Sequence, residues 1–258
     1  MMRTEGYVVE IFGAAGYGKT RLANRALCEL EPDHGALAFD PTGDVYSGVM
    51  RNGCQRAVQF SGRDVDADHL MRLVVGERLT SESWKPGKHP RIVVLTGSQY
   101  EYVFLRCAHR LRGATIYCDE AQKIFNQQRS HEQAINDVIT LARNNNVELI
   151  INSQRPQGLS TDVRARADWV IAFRQNIRHN IDALSDVADK ELWADTRSLD
   201  TFKALVHPPF TSSADEPLLK FDSVNDPLVF RMERDEYARY KSGYDRMQKG
   251  LPPTENDE

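Results

Sequence analysis

A chain of 258 residues, 41% of them hydrophobic and 27% charged, can bury a sizeable core as one large α/β domain or a domain with an appendage. Its formal net charge of -4 argues against a surface coated in positive charge for nucleic acid, while leaving room for a local basic channel. No apolar run approaches membrane-spanning length and the start, MMRTEGY, lacks the apolar core of a signal peptide, so no membrane span and a cytoplasmic location are expected.

The run from Tyr7 to Phe12, rich in β-branched and aromatic residues, predicts a buried strand. It leads into Gly13-Ala14-Ala15-Gly16-Tyr17-Gly18-Lys19-Thr20, a complete GxxxxGKT phosphate-binding loop. Its glycines let successive N–H groups turn inward to phosphate oxygens. Leu22, Ala23, Ala26, Leu27 and Leu30 then recur at helical spacing, which puts Thr20 in a first turn whose free N–H groups favour an anion. Lys19 is expected to reach the β and γ phosphates, and the Thr20 hydroxyl to hold magnesium. The nucleotide-contacting set is taken as Gly13 to Thr20 with Arg21.

Gly35 to Phe39 predicts a second strand, ended by the turn Asp40-Pro41-Thr42-Gly43. A short strand near Ala57 to Phe60, a helix from Asp66 to Leu79 and a loop from Trp84 to Pro90 follow. Ile92 to Leu95 is a buried strand, and the helix after it, to about Leu111, carries Val103, Phe104, Cys107 and Leu111 on one face. Cys107 is one of four cysteines, with Cys28, Cys54 and Cys118, whose spacing indicates neither a zinc site nor a disulfide framework.

Thr115 to Cys118 is the next strand and ends in Asp119-Glu120. In a parallel sheet all strand C-termini share one edge, so these carboxylates should emerge beside the phosphate loop, Asp119 to orient magnesium and Glu120 to take a proton from an attacking water. Ser130 and Gln133 have the spacing of a capping box for a helix carrying Ile135, Val138, Ile139 and Ala142. The strand Val147 to Ile151 leads to Gln154. If this strand lies between the loop strand and the Asp-Glu strand, Gln154 can touch the γ-phosphate or the attacking water. Asp168 to Phe173 is the last strong strand. Strands alternating with helices imply a parallel sheet covered on both faces. Beyond Arg174 the pattern is mixed, with a small hairpin expected from Leu218 to Phe221 and Leu228 to Phe230, then a charged helix from Glu233 to about Lys249. The expected division is a core over 1–175, an extension over 176–250 packed on it and a disordered tail over 251–258.

The segments GAAGYGKT, TIYCDEAQ (Thr115 to Gln122), LARNNNVELIINSQRP (Leu141 to Pro156) and RADWVIAFR (Arg166 to Arg174) together resemble the FtsK/HerA group of nucleic-acid-pumping ATPases. The resemblance covers about two-thirds of the chain and implies an α/β fold of the P-loop NTPase (ASCE/RecA-like) type, with ATP and Mg2+ as cofactors. Tyr17 departs from the small residue common at its place. The resemblance also implies a homo-oligomeric ring, a hexamer or pentamer, in which an arginine of one subunit reaches the γ-phosphate of the next. Arg143 is the first candidate for that finger, and Arg164, Arg166 and Arg174 compete with it.

Because the chain is barely more than a motor, it is similar in kind to the genome-packaging ATPases of membrane-containing icosahedral phages and viruses. Double-stranded DNA and capsid or portal-vertex proteins are then the expected partners, and host cytoplasm or the virion the expected location. A Zot-like assembly ATPase of filamentous phages, extruding single-stranded DNA, is the related alternative. A nucleotide-dependent switch NTPase is the alternative outside motor enzymes, although no NKxD motif is present. Lys123 and Arg129, with Lys85, Lys88 and Arg91, are the basic clusters available to face phosphates.

Overall fold

The computed structural model describes residues 6–31, 34–54, 57–62, 64–75, 91–129, 132–210 and 218–251. The first strand, β1 (Tyr7–Phe12), is buried along its whole length. It hydrogen-bonds in parallel to two later strands, β6 (Glu148–Ser153) and β7 (Trp169–Phe173). The other parallel strands are β2 (Ala36–Asp40), β3 (Ala57–Ser61), β4 (Ile92–Thr96) and β5 (Thr115–Cys118). Two antiparallel strands, β8 (Lys203–His207) and β9 (Leu219–Asp222), extend the β7 side. The order among the described residues is β3-β4-β2-β5-β6-β1-β7-β8-β9. This is the mostly parallel sheet expected of a P-loop NTPase.

Alternation along β1 divides the core in two. Val8 and Phe12 join Phe39, Phe104, Ile116, Ile135 and Ile151 on one face. That face is covered by α3 (Ala67–Val75), α4 (Glu101–Ala108), α5 (Gln133–Asn144) and, further along, α6 (Thr161–Arg164), α7 (Arg178–Leu184) and α8 (Lys190–Ala194). Val9 and Ile11 join Leu22, Leu27, Val45, Ile150, Trp169 and Phe230 on the other. There the cover is α1 (Lys19–Cys28), α2 (Asp44–Arg51) and the buried Tyr237 of α9 (Arg234–Gln248), which meets Trp169 edge-on at 5.4 Å between ring centroids.

The parallel register decides which strand ends come together. Phe12 lies opposite Ser153, and Cys118 opposite Ile151, so the C-terminal ends of β1, β6 and β5 share one edge. The condition set for Gln154 is met: β6 lies between the loop strand β1 and the Asp-Glu strand β5.

Several local expectations need correction. The hairpin between 218–221 and 228–230 does not form. Leu219 to Asp222 instead pairs with Lys203 to His207, and Val229 to Arg231 is a 3-10 turn that buries Val229 and Phe230. Pro227 has no N–H to give a ladder, and the alternation of β9 matches β8. The capping box also fails: Gln133 opens α5 as its first residue behind Glu132, and Ser130 lies outside the described residues. Helix α2 carried too short a pattern to be expected. It starts because both Asp40 carboxylate oxygens accept backbone N–H groups, from Gly43 at 2.8 Å and Val45 at 2.9 Å. The last turn of the helix expected to Leu79, residues 76–79, the loop over 84–90 and most of the expected tail lie outside the described residues.

Candidate phosphate-binding site

Leaving β1, the chain turns at Gly13 and is fixed by a hydrogen bond from Ala14 N–H to the Arg174 carbonyl at 2.9 Å. Gly18 precedes α1 at φ 113, a backbone region closed to most side chains. A Cβ there would stand 2.8 Å from Phe202 Cδ1, and one on Gly13 would stand 2.6 Å from Phe173 Cβ. Positions 13 and 18 are thus open only to glycine. No acidic residue occupies the first turn of α1, so the positive potential of its N–H groups is left for an anion. Ala15 and Gly16 are exposed at the tip. Lys19 is 7% exposed, and its Nζ donates to the Ala14 carbonyl at 3.1 Å, folded back over the loop. Burial lowers its pKa, while the charges of Asp119 and Glu120 act to raise it.

Asp119 and Glu120 follow β5. Asp119 is 4% exposed; its Oδ1 accepts from the Tyr117 hydroxyl at 2.9 Å and from Asn152 Nδ2 at 2.5 Å. Burial pushes this carboxyl up to about 6, against the pull of the Tyr117 hydrogen bond. Glu120 takes a left-handed backbone at φ 48 and ψ 41, uncommon for a residue with a Cβ. That turn separates it from its neighbour: Glu120 Oε1 accepts from Gln154 Nε2 at 2.7 Å and Oε2 from Gln122 Nε2 at 2.6 Å. Gln154 therefore stands against Glu120, at the end of the strand between the loop strand and the Asp-Glu strand.

These residues fit a magnesium nucleotide. The glycine cradle would take phosphate oxygens on backbone N–H groups. Among the described residues no group of three or more His, Cys, Asp and Glu side chains forms a metal cage. Magnesium, which keeps water and phosphate ligands, would suit Thr20 with Asp119 behind it.

The arginines divide. Arg143 stands at the other edge of the sheet, where it donates to Asp168 Oδ1 at 2.6 Å; Asp168 Oδ2 accepts from Val8 N–H near the start of β1. Its side chain is 59% exposed, and from that edge it could serve only a neighbouring subunit. Arg166 donates to Thr140, and Arg164 to the Ala183 carbonyl and Asp186. Arg174 is the one competitor brought to the loop of its own chain, with its guanidinium 5.5 Å from the Tyr17 ring centroid. Arg21 lies over the Phe202 ring at 4.9 Å, and Phe202 N–H donates to the Tyr17 carbonyl at 3.0 Å.

Of the basic clusters, Lys123 is exposed just past the carboxylates. Arg129 is held by Glu101 and Glu132, so its charge is largely matched within the chain. Arg91 precedes β4 at the edge away from the loop, and Lys85 and Lys88 lie outside the described residues.

Sequence reasoning missed Asn152, Gln122 and Phe202. Asn152 and Gln122 stand inside segments that carry the family resemblance, yet nothing in their spacing assigned them partners. Phe202 lies beyond any motif, and its contact with Gly18 exists only through the fold.

The family model described as zonular occludens toxin (Zot) matches residues 51–187, a little over half of the chain, including the carboxylates and Gln154 but not the loop. No curated protein matches. Among solved structures, the genome-packaging NTPase B204 of Sulfolobus turreted icosahedral virus 2, in complex with ATP-gammaS, is 16% identical with a TM-score of 0.60, covering 84% of this chain and 97% of that one. VirB4 of Thermoanaerobacter pseudethanolicus is 11% identical with a TM-score of 0.52, covering 85% and 90%. At these identities the likeness is one of fold.

Proposed function

The chain belongs to the zonular occludens toxin (Zot) family, and from that membership we propose that it is a magnesium-dependent ATPase that drives nucleic acid in phage or viral assembly. One observation carries the reading. The glycine cradle with Lys19, the Asp119-Glu120 pair and Gln154 all emerge at one sheet edge, from β1, β5 and the strand between them.

In that arrangement the loop N–H groups, Lys19 and the start of α1 hold the phosphates and offset charge on the transferring phosphoryl group. Magnesium, bound by Thr20 with Asp119 outside it, would supply further charge neutralisation at the β and γ oxygens. Glu120 accepts a proton from a water whose oxygen bonds to the γ-phosphorus. The bond to the bridging oxygen breaks, and ADP and phosphate leave. Tyr17, Arg21, Arg174 and Phe202 line the flank of the loop beside the remainder of the nucleotide.

The motor reading places the chain in a homo-oligomeric ring, a pentamer or hexamer, with Arg143 reaching across a subunit boundary and Lys123 toward the nucleic acid. Its cargo is double-stranded DNA being packaged, with capsid or portal-vertex proteins as partners and the host cytoplasm or virion as location. The fold shared with the packaging NTPase B204 supports this. The family match favours a second cargo, single-stranded DNA extruded by a filamentous-phage assembly machine. No helix among the described residues is long and apolar enough to cross a membrane. ATPase rate measured with no DNA, duplex DNA and single-stranded DNA, alongside particle mass, tests both. Stimulation by duplex supports packaging and stimulation by single strands alone supports extrusion. An unstimulated monomer with full turnover would leave the switch NTPase.

A further inference from the structure

We propose that Phe202 is a positioning residue for the phosphate loop: from the turn before β8 it braces Tyr17 and Gly18 in the shape that receives phosphate, so part of the nucleotide affinity is set outside the loop's own motif. This rests on the reading that the loop binds a nucleotide. Among the described residues, Glu120, Asn146 and Phe202 are the non-glycine residues with positive φ, and Phe202, at φ 69, is the aromatic one. That backbone region costs energy for a bulky residue and persists only where the surroundings enforce it.

The enforcement comes from both peptide groups of the residue. Phe202 N–H donates to the Tyr17 carbonyl at 3.0 Å, and the Phe202 carbonyl accepts from the N–H and the hydroxyl of Ser223, each at 2.9 Å. Ser223 is buried just past β9. Phe202 is therefore tied on one side to the loop and on the other to the strand pair β8-β9.

This strained backbone sets the ring against Gly18, the residue that precedes α1. A Cβ on Gly18 would stand 2.8 Å from Phe202 Cδ1 and 3.3 Å from Phe173 Cε1, so two aromatic rings close over the space that a side chain of residue 18 would need. Arg21, in the first turn of α1, lays its guanidinium over the same Phe202 ring at 4.9 Å from the centroid. About one turn further on, Arg25 Nη1 donates to the Ser223 and Asp226 carbonyls at 3.3 and 2.6 Å. The end of the loop and the first half of α1 are thus held along their length by residues 202–226.

Glycines let the loop N–H groups point inward, and they also leave an empty loop free to abandon that shape. Ordering it on binding costs affinity, and a brace that fixes the shape beforehand removes that cost. Once phosphate is bound, the ligand itself holds the loop. The effect of Phe202 therefore falls on binding rather than on turnover.

The test is Phe202→Gly, because glycine adopts φ 69 without strain and keeps the N–H that bonds Tyr17. A fluorescent ATP analogue is titrated, steady-state ATPase is measured, and deuterium exchange of the peptide over 13–20 is followed in nucleotide-free protein. We expect Kd and KM to rise about tenfold with kcat within about twofold of wild type, and the loop to exchange about tenfold faster. Phe202→Tyr, which keeps the ring, should bind as wild type. Ser223→Ala, which removes one hydrogen bond on the Phe202 carbonyl, should shift Kd and exchange in the same direction by less. A merely structural role would lower the active fraction, and hence kcat, while leaving the Kd of the folded protein unchanged. Folded Phe202→Gly protein with wild-type Kd and wild-type loop exchange overturns the proposal. If wild type binds no nucleotide while loop exchange still rises in Phe202→Gly, the brace stands and the nucleotide reading falls.

Discussion

Under the proposed ATPase mechanism Lys19 serves binding and Glu120 serves turnover, so their substitutions should separate the two. Lys19→Ala removes the buried ammonium that lies over the loop, so a fluorescent ATP analogue should bind at least tenfold more weakly by titration. Glu120→Gln keeps the shape and removes the proposed base. It should retain nucleotide affinity while kcat drops about 100-fold or more in a phosphate-release assay. Glu10 makes a residue-scale prediction away from the chemistry. It is fully buried in β1, both carboxyl oxygens lack a hydrogen-bond partner, and burial pushes it up from its usual 4.5 to about 8. The folded state therefore holds a proton that the unfolded chain releases above the usual value, so stability falls as pH rises from about 4.5 through 8. Thermal unfolding from pH 6 to pH 9 should show Tm falling by roughly 5 °C more for wild type than for Glu10→Gln. Parallel curves would mean that the group is neutralised some other way.

At the scale of elements, the C-terminal 3-10 turn is locked to the parallel sheet by one buried ion pair. Arg231 donates to both Glu148 oxygens at 2.9 Å, with the two side chains 12% and 5% exposed. Glu148 also accepts from Tyr7 and Thr115 at 2.6 Å each, so β1, β5 and β6 converge on it. Burial alone would raise this carboxyl; Arg231, with the hydrogen bonds from Thr115 and Tyr7, outweighs it and the net direction is down. Arg231→Leu leaves a buried charge unmatched and should cost about 3–5 kcal/mol in urea unfolding. Adding Glu148→Leu should recover much of that loss, because the pair as a whole gains little over apolar packing. A similar penalty for single and double variants would mean that Tyr7 and Thr115 carry the contact instead.

For the whole molecule the question is what lies beyond one chain. Arg143 sits at the sheet edge opposite the phosphate loop, so under the ring reading it acts across a boundary and its pair with Asp168 must open. Arg143→Ala and Glu120→Gln proteins should each be inactive, and mixing them should restore part of the turnover at sites where an intact arginine faces an intact glutamate. Mixed rings without recovery would pass the role to another cation. Under the same reading, binding to DNA should fall steeply with salt and be nearly blind to sequence, as contacts to phosphates would be. Because Arg129 is already matched by Glu101 and Glu132, Lys123→Ala alone should remove most of the salt-sensitive binding contributed by this turn, and adding Arg129→Ala should change it little.

The chain's own order of residues determined the phosphate loop, the strand pairs that flank it and the Asp119-Glu120 edge, because each is written in local spacing: glycines where the backbone must turn, and apolar runs that only a doubly covered strand explains. It also supplied Gln154 as a conditional, since a residue's place at a sheet edge depends on strand order. Tertiary structure alone decided that order, with β6 between β1 and β5. It likewise decided the partners of Glu120, the contact of Phe202 with Gly18, and the pairing of Leu219 to Asp222 with β8 rather than with its neighbour in sequence. Those contacts join residues far apart in sequence or turn on a single backbone angle, and they are set by which faces the packed sheet leaves available.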